Sequence, residues 1–166
     1  MSEQNLYNDD AKQKIKEMAE SIDFAMMATN LKQQPIHMVP MSTKKIDDEG
    51  CIWFLSGKDS QHNQNLTKQS EVHLVYMDNS SMQFLNIYGV ARISTEKSVL
   101  RELFGSSDDA WFDSVDDPNL TAICVTPTHA YYWNSKSNRL STLFKIGVST
   151  ITGEQPDLMN TGKLKV

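Results

Sequence analysis

The sequence predicts a mainly β protein, an antiparallel barrel with small helices packed outside it. Three observations carry that prediction. Seven or so short apolar or alternating runs are separated by turn chemistry, and most successive runs are joined by links too short for a crossover. Helical periodicity intrudes at only three points, so strands and helices do not alternate as βαβ units require. A chain of 166 residues fits one domain and can bury a core without disulfides or a structural metal. No Pro/Gly-rich linker divides it, so residues 1–166 read as a single domain with a polar tail from about 153.

The elements follow in order. Ile15, Met18, Ala19 and Ile22 recur at helical spacing after Asp9 and Asp10, acids that suit a helix start. Phe24 to Thr29 and Ile36 to Thr43 read as strands of a hairpin around the polar turn 30–35. A second turn, 45–50, leads to a strand over 51–56, and the polar stretch from Ser60 to Gln69 reads as a short surface helix. Val72 to Met77 is an apolar strand, Asp78 to Ser81 a turn, and Phe84 to Ile93 a longer strand in which Gly89 signals a bulge or a close backbone approach. Thr95 to Phe104 reads as a helix burying Val99, Leu100, Leu103 and Phe104. An acidic loop, 105–119, carries Trp111-Phe112. Two strands, Thr121 to Thr126 and Ala130 to Trp133, follow, then a last one over 140–150, and a frayed tail after Gly153.

Composition excludes several functions. The net charge is −5 with pI near 5.3, and no Lys/Arg stripe forms, which argues against nucleic acid or an anionic membrane as partner. The polar, acidic N-terminus is unlike a signal peptide and no apolar run is long enough to span a bilayer, so the expected location is cytoplasmic. Cys51 and Cys124 sit in apolar strand patterns and read as buried small hydrophobes. Asp108, Asp109, Asp113, Asp116 and Asp117 lack the spacing and the glycine of a calcium loop and read as a solvated acidic loop. His37, His62, His73 and His129 are too scattered for a zinc site, with His73 and His129 expected as satisfied strand residues, so no metal is expected. No catalytic residue can be named.

The chemistry concentrates in Cys51-Ile52-Trp53-Phe54-Leu55-Ser56-Gly57-Lys58-Asp59-Ser60. An apolar strand runs there into a small, polar turn that opens a helix. Ser56 and Ser60 offer hydroxyls, and the first N–H groups of the helix lack intrahelical acceptors, a combination that suits a phosphate. The alternative is an ordinary turn with a Ser cap. Trp111 and Phe112 could stack on a planar ligand or simply pin their loop. Trp133, on a strand with Tyr131 and Tyr132, has packing as its default role.

Taken together and in this order, Phe24 to Thr29, Val39-Pro40-Met41, Trp53 to Ser56, Gly89-Val90-Ala91, Trp111-Phe112 with Asp116-Asp117-Pro118, and Tyr132-Trp133 resemble the FMN-binding split barrels. These form the pyridoxamine 5′-phosphate oxidase-like group, and the resemblance is to its general stress protein subfamily. It implies an antiparallel split β-barrel and a homodimer with two flavin sites at the subunit interface. The isoalloxazine would lie against Val39-Pro40-Met41 and Phe54-Leu55-Ser56, and the phosphate would meet Ser56, Ser60 and His62. Trp111 and Trp133 are further cofactor candidates, and FMN or the inner phosphate of FAD could occupy the same site. Two departures stand out: Val39 replaces an Arg of many relatives and His62 replaces a Lys, so two charge-assisted contacts are lost or weakened. Phe84 takes the place of the Gln of true pyridoxamine phosphate oxidases, whose activity is not expected here. The expectation is a flavin-dependent oxidoreductase or flavin reservoir. Its rival is a flavin-free dimeric barrel that binds a partner or a small ligand.

Overall fold

The computed structural model describes residues 2–135 and 158–166. Within them, β1 (Ser2–Glu3), β2 (Leu6–Tyr7) and α1 (Asn8–Ile22) are followed by β3 (Phe24–Thr29), β4 (His37–Ser42), β5 (Lys45–Ile46) and β6 (Ile52–Gly57). Next come α2 (Gln61–Lys68), β7 (Glu71–Asp78), β8 (Gln83–Ser94), α3 (Lys97–Leu103), a 3-10 turn over Ser106–Ala110, β9 (Leu120–Ser135) and β10 (Met159–Lys165). The protein is β-rich with peripheral helices, as expected.

All ten strands belong to one sheet in the order β1-β10-β9-β8-β7-β3-β4, with β6 also on β9, β5 on β6 and β2 on β10. The sheet is mixed: the long pairings are antiparallel, whereas β1 and β2 run parallel to β10. Among the described residues no ladder joins β4 to β6, so hydrogen bonds do not close the sheet into a barrel. The chain itself bridges that gap, since the Lys44 N–H donates to the Trp53 carbonyl at 2.8 Å just after β4 ends.

Alternation sets the core. Ala25 and Met27 on β3, Val72, Leu74 and Tyr76 on β7, Leu85 and Ile87 on β8, and Ile52 and Phe54 on β6 are buried together. Ile15, Met18 and Ala19 of α1 pack against them. A smaller cluster under α3 joins Leu100 and Leu103 to Leu120 and Ala122, with Trp53, Leu55 and Phe112 at its margin.

Three expectations are corrected. The runs 121–126 and 130–133 are one sixteen-residue strand, β9. Pro127 lies between the stretch paired with β6 and the stretch paired with β10, beside the register shift at Tyr88/Gly89. A residue without an N–H therefore sits where the ladder is already interrupted. Gly89 has its expected cause: a Cβ there would lie 2.5 Å from the Thr126 carbonyl oxygen. The turn 45–50 contains the short strand β5. Finally, the tail is ordered as β10, anchored by buried Leu164 and by Gly162, where a Cβ would stand 1.9 Å from the Gln4 carbonyl oxygen. The strand expected over 140–150 lies outside the described residues.

Candidate functional site

A cavity of about 410 Å³ runs along the gap between β4 and β6. Its volume is that of a small-molecule site. Pro40, Met41 and Ser42 of β4, Leu55, Ser56 and Gly57 of β6, and Phe24 of β3 line it, with His62 at the start of α2 and Ser107, Asp108, Trp111 and Phe112 from the loop after α3. Its flanks are apolar and its polar groups gather at two ends. Lys44 lies beside Trp53, and Gly57 is four residues further along β6, so at ~3.3 Å per residue the ends are roughly 13 Å apart.

At one end, buried Ser56 anchors a closed hydrogen-bond network. The Thr121 hydroxyl donates to the Ser56 carbonyl at 2.8 Å, the Asn63 amide nitrogen donates to Thr121 Oγ1 at 2.9 Å, and the Ser56 hydroxyl donates to Asn63 Oδ1 at 2.9 Å. His62 Nε2 sits 2.6 Å from Ser56 Oγ. Ser60 is the N-cap of α2, its side chain accepting from the Asn63 N–H. Burial, reinforced by the charge of nearby His37, pushes the His62 imidazole below its usual 6.5.

At the other end the Lys44 ammonium lies 2.7 and 3.0 Å from the two carboxylate oxygens of Asp108, and Asp108 Oδ2 also accepts from the Gly105 N–H at 2.8 Å. Both side chains are mostly shielded from water. Asp108 is thus a correction to the solvated acidic loop, since one of its five acids is turned inward and paired.

The cavity brings together Pro40, Met41, Leu55, Ser56, His62 and Trp111 of the expected residues; Val39, Phe54, Ser60 and Trp133 do not line it. Val39 packs toward the core, Phe54 is fully buried in it, and Ser60 is occupied as a cap. Trp133 lies on the other half of β9, opposite Phe84 and Thr161. Trp111 is 81% exposed at the rim, while Phe112 packs on the cluster beneath α3. Sequence reasoning missed Lys44, Asp108, Asn63 and Thr121. Of these only Asn63 carried a local signal, three residues after the capping Ser60. Among the described residues no group of His, Cys, Asp and Glu could hold a metal ion. Cys51 and Cys124 are free and buried, and no helix is long and apolar enough to cross a membrane.

The topology and the cavity define a β-rich protein with an open, mixed sheet and a pocket of small-molecule size. The chain belongs to the pyridoxamine 5′-phosphate oxidase like family, whose sequence pattern matches residues 10–157. Solved structures agree on the fold. A protein assigned as general stress protein 26 from Jannaschia sp. CCS1 superposes with a TM-score of 0.78 at 21% identity, covering 95% of this chain and 98% of its own. The general stress FMN/FAD binding protein from Xanthomonas citri gives 0.67 at 23% identity, covering 79% and 93%. A protein related to general stress protein 26 from Clostridium acetobutylicum gives 0.65 at 20%, covering 76% and 90%. No curated protein matches the sequence.

Proposed function

We propose that this chain is a cytoplasmic, homodimeric flavin-binding protein, a single split-barrel domain that holds FMN in the cavity between β4 and β6 and serves flavin-dependent electron transfer or flavin storage. The cavity carries the reading, because it joins apolar walls long enough for a fused ring to a hydroxyl- and imidazole-bearing end at a helix start. Pro40, Met41, Leu55 and Trp111 would flank the ring, and His62 with the first N–H groups of α2 would meet the phosphate. A flavin, when bound, supplies hydride and single-electron chemistry, and the protein supplies position and electrostatics. FAD is the variant in which the same end holds the inner phosphate.

The dimer is supported by the outer face of the sheet. Rows running across paired strands expose Met26, Met77, Tyr88 and Tyr131 there, and Phe24 on the same face also lines the cavity. A second copy seated on that face would cover apolar surface and the cavity rim together. One observation favours the rival reading, a flavin-free dimer binding another small ligand: Lys44, the only lysine among the described residues that line the cavity, is already paired with Asp108.

The test is the absorbance spectrum of protein purified without added cofactor, with mass analysis of what denaturation releases. A flavin spectrum with the mass of FMN is expected, together with a dimer by sedimentation. A colourless protein that fails to bind added FMN overturns the reading.

A further inference from the structure

The network at Ser56 contains more than packing, because its proton positions follow from its geometry. The Thr121 hydroxyl and the Ser56 carbonyl oxygen are 2.8 Å apart, and only Thr121 can supply the hydrogen between them. Thr121 Oγ1 must then accept from Asn63, which fixes Asn63 with its nitrogen toward Thr121 and its oxygen toward Ser56. That oxygen takes the Ser56 hydroxyl hydrogen. The close contact between Ser56 Oγ and His62 Nε2 therefore requires the hydrogen on His62. With Nε2 protonated, neutral His62 keeps a bare lone pair on Nδ1, which among the described residues has no hydrogen-bond partner. A lone pair repels a phosphate oxygen. Only the imidazolium can donate to one.

Building on the flavin reading of the cavity, we infer that Thr121, Asn63 and Ser56 form a relay that locks the tautomer of His62, so that His62 contacts a phosphate only together with a proton. A flavin lacking the phosphate requires none. The surrounding groups do not supply a substitute. His37 on β4 opposes a charge on His62. Lys44 and Asp108 at the far end cancel each other. Besides His62, the first turn of α2 offers the neutral side-chain amides of Gln61, Asn63 and Gln64, and its N-cap Ser60 a hydroxyl. Lys58 and Asp59, in the turn before it, are exposed and of opposite sign. The phosphate contact is thereby conditional on pH where a lysine's would be permanent.

Two measurements test this. Nitrogen-15 imidazole spectra of the ligand-free protein at pH 8 should show neutral His62 as the Nε2–H tautomer. Thr121→Ser should preserve that tautomer and Thr121→Val, which lets Asn63 turn over, should mix the two. Calorimetry in buffers of different ionisation enthalpy should show proton uptake when FMN binds at pH 7.5, where its phosphate is already dianionic, and none when riboflavin binds. FMN affinity should fall by up to about tenfold per pH unit above the free His62 pKa, levelling off once the pKa in the complex is passed. An Nδ1–H tautomer, or equal proton uptake for both ligands, overturns the inference while leaving a flavin site. Binding of neither flavin overturns the site reading, and the proton coupling with it.

Discussion

The two ends of the cavity bury polar groups in opposite ways. At the Ser56 end the Thr121, Asn63 and Ser56 groups are neutral and donate one to the next around a ring of 2.8–2.9 Å contacts, shorter than those of Ser56 Oγ to Ser60 Oγ at 3.3 Å and to the Gly57 carbonyl at 3.5 Å, so little desolvation is needed. At the Lys44 end two full charges are withdrawn from water and held by each other and by the Gly105 N–H. The difference decides how the cavity meets an anion. The charged end is self-cancelled and offers no net attraction, whereas the neutral end contains His62, a group whose charge changes near neutral pH. The end without charge is the one that can acquire it.

The sharpest way to break this contrast is to remove one partner of the ion pair. Lys44→Met should destabilise the protein by about 3 kcal/mol, because it leaves a shielded carboxylate without its cation. Lys44→Met combined with Asp108→Asn should recover most of that loss, since the uncompensated charge is gone. Urea denaturation midpoints for the two singles and the double give the coupling directly. An additive double mutant would mean that the pair contributes no more than an exposed one.

The neutral end should break more gently. Thr121→Val removes one hydroxyl and leaves the Ser56 carbonyl and the Asn63 amide each short of a partner, at a cost of about 2 kcal/mol. Thr121→Ser keeps the hydroxyl and should cost less than half as much. Because no charge is stranded, the loss should not change between low and high salt, unlike that of Lys44→Met. Equal salt dependence of the two variants would erase the distinction between the ends.

These two ends also differ in how much of them is legible in the sequence. Ser56, Ser60, His62 and Asn63 fall within eight consecutive positions, where a strand running into a capped helix dictates their proximity. Lys44 and Asp108 are 64 residues apart. Nothing local separates Asp108 from the four other acids of its loop, and only the route of the loop over the cavity singles it out. The fold divides in the same way. Strands β3, β6 and β7 declare themselves because apolar runs of strand length and the turn residues that bound them agree. β10 does not, because within it only Leu164 and Gly162 are fully buried and its partners β1 and β2 come from the far end of the chain. Trp133 illustrates the limit for a site residue: it shares a strand with Thr121, but the extra residue of β9 at the register shift beside Tyr88/Gly89 flips the alternation between them and puts the tryptophan on the outer face.

The smallest expected effect, and the finest test of the neutral end, is His62→Lys. A lysine at the start of α2 can donate to Ser56 Oγ in place of Nε2–H, so stability should be little changed. Its charge, however, persists well above the range in which His62 is neutral. Burial and His37 already hold His62 below 6.5 in the free protein, so at pH 8 nearly every molecule must be protonated before it can donate to a phosphate from Nδ1. The lysine variant carries no such requirement. It should bind FMN about tenfold more tightly at pH 8, a difference of about 1.4 kcal/mol, and should lose most of the decline in affinity above pH 7. At pH 6 the phosphate is itself partly protonated, which weakens both complexes, but His62 is then closer to its own pKa and the gap between the proteins should narrow. Riboflavin, which has no phosphate, should bind both proteins alike at either pH. Titrations by flavin fluorescence quenching at the two pH values, with both ligands, measure all of these differences. A gap between the proteins that is the same size for riboflavin as for FMN would show that position 62 acts on the ring or on the packing of α2, and that the phosphate lies elsewhere.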